Sequence, residues 1–112
     1  MDKDPKILFK RILESIDTIS QYTSDISETQ FKSDFKTRDA VLMHLIVIGE
    51  VANRIPEDFR EKHGHIEWMR IIRTRHLIAH EYGRVDFDVI WRIVKQHIPE
   101  TKLVLEEIFN AL

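Results

Sequence analysis

The 112-residue sequence predicts an all-α fold, an up-and-down bundle of four main helices with one short extra helix. Three observations carry that prediction. Apolar residues recur at helical spacing over long stretches, and clean period-two alternation is absent. The three glycines and three prolines mostly fall between the periodic segments. A chain of this length has room for one domain, so residues 1–112 are read as a single unit without internal repeats.

The first helix covers "PKILFKRILESIDTISQYT", with Ile7, Leu8, Ile12, Ile16 and Ile19 on one stripe and Pro5 in its first turn. A polar stretch, "SDISETQFKSDF", separates it from a long second helix over roughly Thr37 to Ile55. The segment "AVLMHLIVIGEVANRI" is apolar almost all round, which makes this helix central or buried against another subunit. Its Gly49 allows a neighbouring helix to come close, and His44 and Glu50 are its polar exceptions. Glu50 is either an ion pair at the bundle edge or a carboxylate orienting a charged group in a site. Pro56 ends the helix, and "EDFREKHG" is a short helix or turn. The third main helix is predicted from about Ile66 to near Tyr82, with Gly83 as its stop. Asp86 or Asp88 caps a fourth, which contains Val89, Ile90, Ile93 and Val94. Pro99 separates that helix from a last one carrying Leu103, Val104, Leu105, Ile108 and Phe109.

Composition narrows the function. The formal charge of −2 argues against broad coating of nucleic acid while leaving room for a local basic cleft. Without cysteine there is no disulfide framework and no thiolate zinc site. The opening "MDKDPK" leads into a charged amphipathic segment rather than a signal peptide, and the longest apolar runs are far too short to span a bilayer. A soluble, cytoplasmic protein is expected.

The chemically dense stretch is "MRIIRTRHLIAHEYG", Met69 to Gly83, with three arginines and two histidines in an otherwise apolar helix. Arg75 and His80 are five residues apart and point about 140° away from each other. His76 and His80 share a face, and Arg73 lies near it. Arg75 and Tyr82 align only if the helix continues that far. Histidine can move a proton near neutral pH, and arginine offers a rigid fork of donors to phosphate oxygens. That pairing suits phosphodiester cleavage in which the RNA's own 2′-hydroxyl is the nucleophile, with no metal required. The bland alternative is a set of salt-bridged surface arginines with His80 incidental. His44, His63, His65 and His97 are read as structural. His76 and His80 lack a third partner for zinc, so no metal site is assigned.

The motif R-x-x-x-x-H-x-Y in "RHLIAHEY", Arg75 to Tyr82, resembles that of HEPN-domain ribonuclease toxins of the HepT type. The likeness extends to "DAVLMHLIVIGEVANRIP" and "IEWMRIIRTRHLIAHEYGRVDFDVIW", and it covers about residues 5–110. It implies a helical HEPN domain that dimerises so that both motifs line one cleft, cleaving RNA without a metal or other cofactor. Arg75 and His80 match the family's catalytic pair; from the helix face they share, Arg73 and His76 are candidate supporting or RNA-contacting groups, and Glu50 a candidate orienting one. The family usually has asparagine where this chain has His76. The resemblance further implies the toxin half of a type VII-like toxin–antitoxin module. Its partner there is a minimal nucleotidyltransferase antitoxin that uses ATP and Mg2+ to add AMP to Tyr82. The alternatives are a non-catalytic HEPN domain that binds a nucleotidyltransferase or nucleotide, and a purely structural helical adaptor.

Overall fold

A computed structural model describes residues 4–112, except for the Tyr82 side chain. Its described residues form helices α1 (Pro5–Thr23), α2 (Glu28–Ser33), α3 (Phe35–Arg54), α4 (Glu57–Lys62), α5 (Trp68–His80), α6 (Phe87–Arg92) and α7 (Ile98–Ala111). A 3-10 turn, Tyr82–Arg84, follows α5, and a π segment, Ile93–His97, joins α6 to α7. There is no strand among them. The all-α prediction holds, with three short helices in place of the one expected.

Helix α1 begins where the Asp4 side chain accepts from the Lys6 amide, with Pro5 in the first turn. It buries Leu8, Phe9, Ile12, Ile16 and Ile19. Ile7 departs from the predicted stripe and is exposed, because Phe9 takes the inward position at that end. Phe9 meets Phe59 of α4 and Trp68 of α5 edge to face. The Trp68 indole also donates to the His63 carbonyl at 3.1 Å, fixing the start of α5.

The stretch read as a polar separator contains α2. Ser27 and Gln30 form a reciprocal capping box there, and Phe31 is fully buried near Phe87 and Trp91. Asp34 then caps α3, whose buried residues include Leu45, Ile48, Gly49 and Ala52. As its all-round apolar sequence predicts, α3 is central: its largest packing surfaces face α5 and α1.

Pro99 does not break the chain into two helices. A proline ring clashes with the carbonyl four residues back and lacks an N–H. Here the helix widens instead, with the Ile98 N–H reaching the Ile93 carbonyl, and Pro99 enters in the first turn of α7. The join is pinned from outside by Lys95, whose Nζ donates to the Thr23 carbonyl at 2.7 Å. Arg70 of α5 also meets His97 of the π segment at 2.6 Å, in keeping with a structural part for that histidine.

Ion pairs tie the layers at the surface. Lys32 of α2 pairs with Asp88 of α6, which raises the lysine pKa through a direct hydrogen bond. Lys102 of α7 pairs with Asp17 of α1 at 3.1 Å, with the same effect.

Candidate active site on helix α5

Trp68, Ile72 and Ile78 carry the buried side of α5, which places Arg75 on the flank that meets α3. The crossing is close because α3 has glycine at the contact. A Cβ added to Gly49 would overlap Arg75 Cβ and come within 3.1 Å of the Ile71 carbonyl oxygen. Without that side chain, the Arg75 stem lies against α3 and its guanidinium reaches Glu50. Arg75 Nε is 2.9 Å from Glu50 Oε2, an ion-pair contact in which the N–H is not aligned as a hydrogen bond. The other carboxylate oxygen, Oε1, stands 3.9 Å from Arg54 Nη2. An ion pair of this kind is common to both readings of Glu50, the edge salt bridge and the orienting carboxylate.

On its outer side, Arg75 Nη1 is 3.5 Å from His76 Nδ1. The His76 and His80 rings lie nearly parallel, their centroids 5.9 Å apart and their planes at 8°. Both imidazoles are exposed, as are Met69, Arg73 and Leu77. Glu50, Arg75, His76 and His80 therefore form a continuous line from α3 across α5 to solvent. His76 is the link between the arginine and the second histidine. Arg73 lies on the same exposed face.

The helix stops earlier than predicted. Its last bond runs from the Glu81 amide to the Leu77 carbonyl, and the next residues tighten into the 3-10 turn. Tyr82 thus lies beyond α5, in the 3-10 turn, so the helix does not continue to it. The predicted site on the Tyr82 side chain lies outside the described residues. Gly83 sits inside the turn with no positive φ, and a Cβ there would meet nothing within 4 Å. His80 opens onto a shallow cleft with Glu81, Gly83 and Arg84.

Arg54 escaped the sequence reading. The available signal was its position four residues after Glu50, the spacing of a helical ion pair.

Helix α5 thus presents an arginine, whose fork of donors fits phosphate oxygens, and a histidine, which can move a proton near neutral pH. The family model described as HepT-like ribonuclease matches residues 12–108, and the chain belongs to that family. A Methanocaldococcus jannaschii protein, whose name joins gamma-glutamylcyclotransferase to a provisional RNase assignment, is 38% identical over the whole of this chain. The chain spans only 50% of that relative. A second protein of that organism, also provisionally named an RNase, is 34% identical over 93% of this chain and 95% of its own length. The Thermococcus cleftensis protein named probable ribonuclease HepT is 36% identical over 96% of this chain and 98% of its own length. No solved structure matches at a comparable level. Among the described residues, no helix is long and apolar enough to cross a membrane.

Proposed function

We propose that the chain is a metal-independent endoribonuclease acting as a symmetric dimer, with Arg75 and His80 as its catalytic residues. The observation that carries this reading is the braced Arg75 next to the exposed His76–His80 stack. The guanidinium neutralises the scissile phosphate and the charge that grows on it in the transition state. The 2′-hydroxyl oxygen of the RNA attacks the adjacent phosphorus and the bond to the 5′-oxygen breaks. The products are a 2′,3′-cyclic phosphate and a 5′-hydroxyl. His80 takes the proton from the 2′-oxygen or gives one to the leaving oxygen. These oxygens lie on opposite sides of the phosphorus, so one imidazole cannot serve both at once. A second copy related by a two-fold axis supplies the other. Exposed Met43, Met69 and Leu77 on α3 and α5 give such a pairing apolar surface.

The same reading makes the chain a toxin whose nucleotidyltransferase partner adds AMP to Tyr82, using ATP and Mg2+. Negative charge added just past His80 competes for Arg75 and fills the cleft. The test is cleavage of RNA by the purified chain in excess chelator, with light scattering to read its mass. Cleavage lost in His80→Ala supports the assignment, whereas no cleavage by the parent sinks it. A strictly monomeric mass removes the two-histidine mechanism. Intact-mass analysis after incubation with a neighbouring nucleotidyltransferase and ATP tests the control: the parent gains adenylyl mass and Tyr82→Phe does not. Equal gain on the phenylalanine variant excludes Tyr82 as the acceptor.

A further inference from the structure

Glu50 stands between two arginines. Its Oε2 is 2.9 Å from Arg75 Nε, while its Oε1 is 3.9 Å from Arg54 Nη2. Two guanidinium groups that share one carboxylate are held near each other by the negative charge between them. In the free chain that charge is the Glu50 carboxylate. A phosphodiester carries the same charge, and arginine forks bind carboxylate and phosphate with the same two-pronged geometry.

From this point a groove opens between α1 and α3, with a volume of about 560 Å³. Arg11 and Glu14 stand on the α1 side, with His44, Glu50, Val51 and Arg54 on the other. The groove is a shallow surface depression, as open as the cleft beside His80, and its volume falls in the range of small-ligand sites, roughly 300–1,000 Å³. Arg11 and Arg54 on its two sides suit a polyanionic strand, and the apolar lining from Ile46, Val47 and Val51 suits the apolar face of a sugar or base. The two carboxylates offset the two arginines, so the groove is close to neutral when empty.

We propose that this groove is a subsite for the nucleotide next to the cleaved bond of single-stranded RNA. Arg54 binds that nucleotide's phosphate, and Glu50 occupies the phosphate's place until RNA displaces it. Arg11 supplies a weaker contact from the opposite wall. The inference rests on the ribonuclease reading above, and it adds a binding residue that the Arg–His motif does not contain. It also gives Glu50 a distinctive signature: a carboxylate that competes with substrate weakens binding, whereas a purely structural one supports it.

The experiment measures binding apart from turnover. In the His80→Ala background, a labelled single-stranded oligoribonucleotide is titrated by fluorescence anisotropy over a series of salt concentrations. Arg54→Ala is expected to weaken binding roughly tenfold, as loss of one charged contact does, and to flatten the log–log salt dependence by about 0.7. Arg54→Lys retains the slope. Glu50→Gln removes the competing charge and binds RNA more tightly than its background, by roughly threefold or more. In the cleaving chain, the loss from Arg54→Ala falls on KM more than on kcat. Circular dichroism of each variant excludes unfolding. If the parent cuts RNA while Arg54→Ala keeps the same affinity and salt slope, the subsite is wrong and the nuclease stands. Weaker binding by a folded Glu50→Gln variant overturns the displacement. A parent chain that neither binds nor cuts RNA removes the ribonuclease reading and this inference with it.

Discussion

The two ends of the Arg75–His80 motif are built differently, although a single helix carries both. At the Arg75 end, Gly49 lets the stem lie on α3 and Glu50 pairs with the guanidinium, leaving 33% of the side chain exposed. At the His80 end the helix stops, and the imidazole is exposed with another exposed ring as its neighbour. The contrast separates two demands on a site. A donor that must meet a phosphate works best when its stem is already fixed, here by packing against Gly49. Little beyond the exchange of carboxylate for phosphate then has to reorganise as charge develops. A group that must take and release a proton each cycle needs access to solvent or to substrate oxygens. The fold supplies rigidity to the first and openness to the second.

The sharpest way to break the contrast is to remove each end in turn. Arg75→Ala and His80→Ala should each lower the cleavage rate roughly 10²-fold or more while leaving the far-UV spectrum unchanged. A folded variant of either kind that cuts at the parent rate loses its assigned role.

Gly49→Ala probes the clamp alone. The new methyl group collides with the Arg75 stem. Overpacking of this kind costs roughly 1–3 kcal/mol, partly offset by about 1 kcal/mol of alanine's better helix propensity. The expected result is a lower melting midpoint and a cleavage loss of up to roughly 10²-fold, since small misplacements of a catalytic group are costly. Parent-level cleavage by the alanine variant would show that close α3–α5 contact is not what aims Arg75.

A change far from the site should move stability without touching the chemistry. Asp34 caps α3, and hydrogen bonds from the Thr37 hydroxyl and backbone amide hold its pKa below the ordinary 3.8. A carboxyl whose folded pKa is depressed stabilises the fold above its unfolded value, and that contribution is lost as the pH falls through the folded one. Thermal melts of the parent should therefore lose part of their stability below about pH 3.8, whereas Asp34→Asn should show a shallower acid dependence. Equal acid dependence in both would remove Asp34 from that account.

The smallest effect is expected at the Lys102–Asp17 pair between α7 and α1, which is largely solvent-exposed. Its raised lysine pKa means stability that is complete below the unfolded value of 10.5 and lost as pH rises through the folded one. Lys102→Met should change stability at neutral pH by only about 0–1 kcal/mol, read by denaturant titration, with cleavage unaltered. A larger loss would mean that this contact holds α7 in place.

The sequence by itself determined the helical class, the extent of α1 and α3 to within a few residues, and the Arg75–His80 motif. Those features are local: periodicity, caps and the spacing of residues along one helix are all present in the linear chain. Its limits were local as well. Helix α2 was hidden because six residues with one buried aromatic, Phe31, are too few for a periodic signal. Pro99 looked like a break because nothing in its neighbours announces a π segment that makes room for the ring. Tertiary structure alone decided what surrounds the motif. In sequence, Glu50 has Arg54 one turn away as a ready partner, and Arg75 is no nearer to it than many other cations. Only the packing of α5 onto Gly49 brings Arg75 to 2.9 Å, inside the 3.9 Å of the local pair, because side-chain reach depends on interhelical distance and crossing rather than on spacing along the chain.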